Sequence, residues 1–128
     1  MSQLLVDTSF WISFFRGDSI GQLLFPYLDS NLICTNDLIL SELIPSIQMR
    51  NETHLVAILM SIERKSLNID WDVIRQMQIT NMRKGIYKVG IPDLIIAQNA
   101  IQNNIPIVSL DRHFKLMSDS IGVRVFEF

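Results

Sequence analysis

Short apolar runs alternate with longer stretches of helical periodicity along the whole chain, and that alternation leaves few folds open. The runs are Leu4–Val6, Leu32–Thr35, the weaker Ser66–Ile69, Ile105–Leu110 and Val123–Phe126. Each has the length and composition of a strand, and the first stops abruptly at Asp7. Between them, helices are expected over Phe10–Phe15, Ser19–Leu28 with Pro26 as a kink, Asn36–Met49 and Asn51–Lys65. Further helices are expected from Asp70 to Lys84, over Asp93–Asn103 with Pro92 in the first turn, and briefly over His113–Ser118. Strands separated by helices imply parallel pairing with right-handed crossovers. The expected fold class is therefore α/β: a three-layer α/β/α sandwich around a central, mainly parallel sheet of four or five strands. The fifth run would form an edge.

The 128 residues suit a single domain over 1–128, and 48% apolar composition supports a core without disulfides or a structural metal. The lone cysteine, Cys34, sits in an apolar stretch and reads as a small buried hydrophobe. The first residues lack the basic segment of a signal peptide, and no apolar run reaches the ~20 residues that span a bilayer. A soluble cytoplasmic protein with no membrane association is expected. The formal net charge of -2 does not announce a nucleic-acid binder. It does not exclude one either, because a site rich in carboxylates lowers the total. The mean hydropathy of +0.27 is high for so short a chain and points to a surface that meets a partner.

In a βαβ unit the carboxyl end of a strand and the amino end of the next helix share one edge of the sheet, where ligands of open α/β sheets bind. Four acids fall at that edge from four segments. Asp7 ends the first strand, Glu42 lies early in the helix after the second, Asp93 opens its helix, and Asp111 follows the fourth strand. Each also has an ordinary role open to it. Asp7 can cap a helix, Asp93 can complement a helix dipole, and Asp111 can begin a turn. Glu42 fits that account least, since its spacing from Leu38 and Ile39 puts it beside the apolar stripe.

Two like charges at ~4 Å repel by ~4 kcal/mol at an effective dielectric of ~20. A hard divalent cation relieves that repulsion, and an all-oxygen set suits magnesium, with manganese as the other option. Zinc is disfavoured because Cys34, His54 and His113 have no ligand spacing; His113 reads as a surface turn residue. Such a metal points to phosphodiester hydrolysis. The hydroxyls of Thr8, Ser9 and Ser109 are placed to support the carboxylates. Lys84, Lys88 and Arg112 flank them as candidate phosphate contacts, whereas Arg64, Lys65 and Arg75 read as solvated. On the first helix, Trp11 and Phe15 share one face and Phe10 and Phe14 another, so one pair is expected in the core and the other at a protein contact.

The segments LLVDTSFWISFF, LILSELI, IPDLIIAQNA and PIVSLDRHF together resemble the PIN-domain nucleases, in particular the VapC toxins of bacterial toxin–antitoxin pairs. The resemblance runs from end to end in order, and the Pro-Asp helix followed by Ser-x-Asp-x-x-Phe is its most specific part. It implies that Asp7, Glu42 and Asp93 are the principal acidic metal ligands and Asp111 a fourth. It also implies that Ser109 and Thr8 or Ser9 fill hydroxyl positions. The implied activity is endonucleolytic cleavage of RNA leaving a 5′-phosphate, by a homodimer silenced by a small antitoxin. Two alternatives stand beside it: a PIN-like nuclease of RNA processing without an antitoxin, and an inactive module that binds RNA or protein.

Overall fold

The structure is a computed structural model that describes residues 3–128. Strand β1 (Leu4–Val6) lies inside a four-stranded sheet between β2 (Ile33–Thr35) and β4 (Ile107–Val108), and β3 (Glu63–Arg64) pairs with the outer side of β2. All pairings are parallel, in register Leu4↔Ile33, Leu5↔Ile107 and Cys34↔Glu63. Every residue of β1 is buried, as expected of a parallel strand covered on both faces. The chain moves outward through β2 and β3, then returns to the opposite side of β1 as β4. The strand order therefore reverses between β1 and β4, and a crevice opens at their carboxyl ends.

Helix α1 (Thr8–Arg16) follows β1; a 3-10 turn (Gly21–Leu24) and α2 (Phe25–Asp29) lead into β2. Helices α3 (Asp37–Met49) and α4 (Thr53–Ser61) precede β3, α5 (Trp71–Arg83) and α6 (Ile91–Gln102) precede β4, and α7 (Arg112–Ile121) follows it. With the helices packed over the sheet, the chain has the expected three-layer α/β/α architecture. Helix α6 is buried without a break from Leu94 to Ala100, so its polar members must be satisfied internally. Gln98 does this by bonding both the N–H and the carbonyl of Asp70 at 3.1 Å.

Asn99 joins the helix that carries Glu42 to the centre of the fold. Asn36 accepts from the N–H of Ile39 at 2.9 Å, capping α3, and its amide donates to Asn99 Oδ1 at 3.0 Å. Asn99 in turn donates to the Ser66 carbonyl. Asn36→Ala removes the cap and strands a buried acceptor. It should destabilise the fold by about 1–3 kcal/mol, read as a lower midpoint in chemical denaturation with unchanged m-value.

Several sequence expectations are corrected. The third strand is Glu63–Arg64, not Ser66–Ile69; its register on Cys34 and Thr35 selects it, and both residues are exposed. The helix expected to reach Lys65 ends at Ser61 because Ile62 is extended. Pro26 does not kink a helix; it opens α2, where its missing N–H is harmless. The fifth run contributes a single parallel bridge, Val125 to Ile107, beyond β4. The last helix reaches Ile121.

The aromatic pairs of α1 also divide differently: Phe10 and Trp11 are buried, while Phe14 and Phe15 are half-buried. Both pairs lie on one broad buried face, opposite the exposed Ile12 and Arg16. Phe10 stacks on Phe128 at 5.4 Å and Trp11 on Phe15 at 5.5 Å. Cys34 is fully buried as expected, and burial pushes its thiol pKa up to about 12. No helix of the described residues is long and apolar enough to cross a membrane.

Candidate metal centre

Asp7 occupies the N-cap position of α1 but makes no capping bond with its side chain. The ordinary role open to it is therefore not the one its carboxylate plays. That carboxylate, only 6% exposed, is turned into the crevice and held by two hydroxyls. Ser109 Oγ donates to Asp7 Oδ2 at 2.8 Å, and Ser9 Oγ reaches the same oxygen at 3.2 Å. The two serines also lie 3.2 Å apart. Ser9 Oγ accepts from the N–H of Leu110 and Ser109 Oγ from the N–H of Asp111, each at 2.9 Å. This lattice joins the end of β1 to the turn after β4 across the strand-order reversal.

Asp111 does two things. Its Oδ1 accepts from the N–H of His113 at 2.9 Å, capping α7, and the same oxygen lies 3.3 Å from His113 Nδ1. Asp93, in the first turn of α6, brings Oδ2 to 3.5 Å from that nitrogen. One ligand atom from each of Asp93, Asp111 and His113 falls within 4.8 Å of the others. His113 is half-buried, and its Nδ1 is buried without a well-formed hydrogen bond. The expectation of a surface turn histidine is corrected accordingly. Sequence reasoning missed it because the ligand-spacing rules compare residues along the chain, whereas His113 and Asp93 meet through the packing of α6 against α7. Its position two residues after an acid at a strand end was the available signal.

Glu42 reaches the same crevice from α3. As a whole the residue is exposed, but its carboxyl accepts from Thr8 Oγ1 at 2.9 Å. Burial of the carboxyl raises its pKa above the usual carboxylate range. The Thr8 bond opposes that rise, and the charges of Asp7 and Asp93 add to it. Asp93 is raised as well, first by burial, then by Asp111 and Asp7, with His113 pulling the other way. Charge thus links Glu42 to Asp7 and Asp93, and Asp93 to Asp111 and Asp7, while the close group of ligand atoms is Asp93, Asp111 and His113. Among the described residues, no lysine or arginine forms an ion pair with any of the four acids. The donor set fits a divalent cation: two carboxylates and an imidazole nitrogen in close reach, further acids that repel them, and no lysine or arginine paired to relieve the charge among the described residues.

That repulsion has a pH signature. Between the usual carboxylate range and the raised values, the folded chain keeps protons that the unfolded chain has released. Stability therefore falls as pH rises through that window, and the loss is complete above it. In chelator, thermal midpoints should decline across the window. The decline should flatten in a Glu42→Gln/Asp93→Asn double variant and shrink in the parent when magnesium is added.

The basic candidates separate. Lys84 and Lys88 line a cavity that His113 also borders. Arg112 is exposed at the start of α7 and makes no side-chain hydrogen bond or ion pair among the described residues.

The family model of the PIN domain matches residues 4–119. The chain belongs to the PIN-domain family. Solved structures agree in fold. A chain of the DNA-bound VapBC complex from Salmonella typhimurium matches with TM-score 0.72 and 19% identity, over 98% of both chains. FitAcB from Neisseria gonorrhoeae gives 0.69 and 18%, over 98% of this PIN domain and 97% of that chain. A member of the VapBC family of toxin–antitoxin systems from Mycobacterium tuberculosis gives 0.68 and 19%, over 100% of both. No curated protein matches this PIN domain by sequence.

Proposed function

We propose that this PIN domain is a metal-dependent endoribonuclease and the toxin of a VapBC-like pair, using magnesium or manganese to hydrolyse RNA phosphodiester bonds. The observation that supports the proposal best is a set of ligand atoms from Asp93, Asp111 and His113 within 4.8 Å of one another, with Asp7 and Glu42 linked to Asp93 by charge and no lysine or arginine paired to any of the four acids among the described residues. Asp7, Glu42, Asp93 and Asp111 would hold the ion. A bound divalent cation supplies charge neutralisation at the phosphate and activation of a water at neutral pH.

The chain's own residues prepare for this in distinct ways. Ser109 and Ser9 both bond Oδ2 of the buried Asp7, which limits rotation of the carboxylate and leaves its second oxygen unused by either hydroxyl. Thr8 orients Glu42, whose long side chain would otherwise sample several rotamers. Asp111 is fixed by capping α7. His113 offers a nitrogen beside two carboxylates, which suits manganese better than magnesium.

The solved complexes that share this fold are named as toxin–antitoxin or VapBC assemblies, which supports a small antitoxin partner for this chain. The deciding experiment incubates total RNA with the purified chain in magnesium, in manganese and in chelator. Metal-dependent fragments carrying 5′-phosphates are expected, and expression should slow bacterial growth until the product of an adjacent small reading frame is supplied. Intact RNA in both metals would overturn the enzyme. Cleavage without growth inhibition would instead favour a processing nuclease.

A further inference from the structure

The segment between α5 and α6 is pinned at two points and free between them. Gly85 takes a left-handed φ of +78°, turning the chain out of α5. The N–H of Ile86 then donates to the Asn81 carbonyl at 2.8 Å, and Ile86 packs against the core. Val89 is buried as well, and its carbonyl accepts from Gln78 Nε2. With residues 86 and 89 turned inward, Tyr87 and Lys88 project outward, and Tyr87 is 72% exposed. Such exposure of a tyrosine, fixed from both sides by buried neighbours, is what a contact residue needs.

Exposed as it is, Tyr87 borders a concavity. With Lys84, Lys88, Leu116 and His113 it lines a cavity of about 460 Å³, within the roughly 300–1,000 Å³ typical of ligand sites. His113 borders this cavity and also lies beside Asp93 and Asp111, so the cavity neighbours the candidate metal centre through that one side chain.

Charge adds an independent argument. A polyanion approaching four carboxylates on a chain of net charge -2 needs local cations. The chain has four lysines. Lys65 is paired with Glu63 and Lys115 with Glu127. The other two, Lys84 and Lys88, form no ion pair among the described residues, and both are at this cavity; Lys84 Nζ donates only to the Asp119 carbonyl, at 3.4 Å.

We propose that this cavity is the subsite for one unpaired nucleotide of the RNA beside the cleaved bond, its base stacked on Tyr87 and its phosphate held by Lys84 and Lys88. The proposal rests on the ribonuclease reading and adds to it a base-binding residue and the cavity it borders. A concave site bearing one exposed ring accepts a base splayed out of a single strand. A base paired within a duplex presents no free face to such a ring.

The test uses a fluorescent ten-nucleotide single-stranded RNA and its duplex. Binding is followed by anisotropy in chelator, and KM is measured in magnesium. Tyr87→Ala should raise both Kd and KM for the single strand at least about fivefold, whereas Tyr87→Phe, which keeps the ring, should bind as the parent does. Replacing both lysines by glutamine should lower the salt slope of binding by about 0.7, for the one phosphate they hold together. The duplex should bind more weakly and ignore Tyr87→Ala. If the parent binds and cleaves but Tyr87→Ala leaves Kd and KM unchanged, or weakens duplex equally, the subsite is overturned and the nuclease stands. If the parent binds with Tyr87 dependence but never cleaves, the cavity's base binding stands, its place beside a cleaved bond is overturned, and the nuclease falls. If it neither binds nor cleaves, both fall.

Discussion

Asp93→Asn and Asp7→Asn should each lower metal-dependent RNA cleavage by at least about a thousandfold while leaving the protein folded. Each change removes one negative charge and keeps the side-chain shape. Losing about 4 kcal/mol of transition-state stabilisation corresponds to that factor. The two positions are chosen for different surroundings. Asp93 feels burial and two neighbouring acids, so in chelator its neutral replacement should match or exceed the parent's thermal midpoint. Asp7 is held by Ser109 and Ser9, and asparagine can still present an acceptor oxygen to both hydroxyls. Circular dichroism and thermal melts in chelator separate catalytic loss from unfolding. Cleavage retained by both folded variants would remove the carboxylate mechanism.

The parts of this fold that were legible in the sequence are those fixed by burial. Leu4–Val6 is apolar on every position because the sheet is covered on both faces, and its end at Asp7 locates the crevice. The Pro-Asp start of α6 and its apolar body were equally plain, because that helix is buried along most of its length. Polar elements were not legible. Strand β3 is two exposed charged residues, and only its pairing with Cys34 and Thr35 defines it, whereas Leu67 and Ile69 look more strand-like and merely pack on the core. Within the site, the acids announced themselves by their positions at the ends of strands and starts of helices. The relations among side chains did not. That Thr8 serves Glu42, that Ser109 bridges Asp7 and the Asp111 backbone, and that His113 faces Asp93 are consequences of how α1, α3, α6 and α7 meet. Tyr87 was invisible for a related reason: only the burial of Ile86 and Val89 reveals that it is held outward.

Ser109→Ala should lower manganese affinity and cleavage by about 10–100-fold, the usual loss when a residue that orients metal ligands is removed. The hydroxyl serves two strands at once: it donates to Asp7 at 2.8 Å and accepts from the Asp111 N–H at 2.9 Å. Alanine frees the Asp7 carboxylate to rotate and leaves a polar N–H without its acceptor at the turn that positions Asp111. A stability loss of about 1–3 kcal/mol should accompany the functional one. Ser9→Ala is the milder control, because its bond to Asp7 is longer, at 3.2 Å, and Ser109 still holds the carboxylate. Ser109→Thr keeps the hydroxyl and should restore most of both properties. Calorimetric titration with manganese reads the ligand-orienting role directly, without turnover. If Ser109→Ala loses stability but binds manganese and cleaves RNA like the parent, the serine only ties β4 to β1. In that case the orientation of Asp7 must come from the packing of α1 against the sheet.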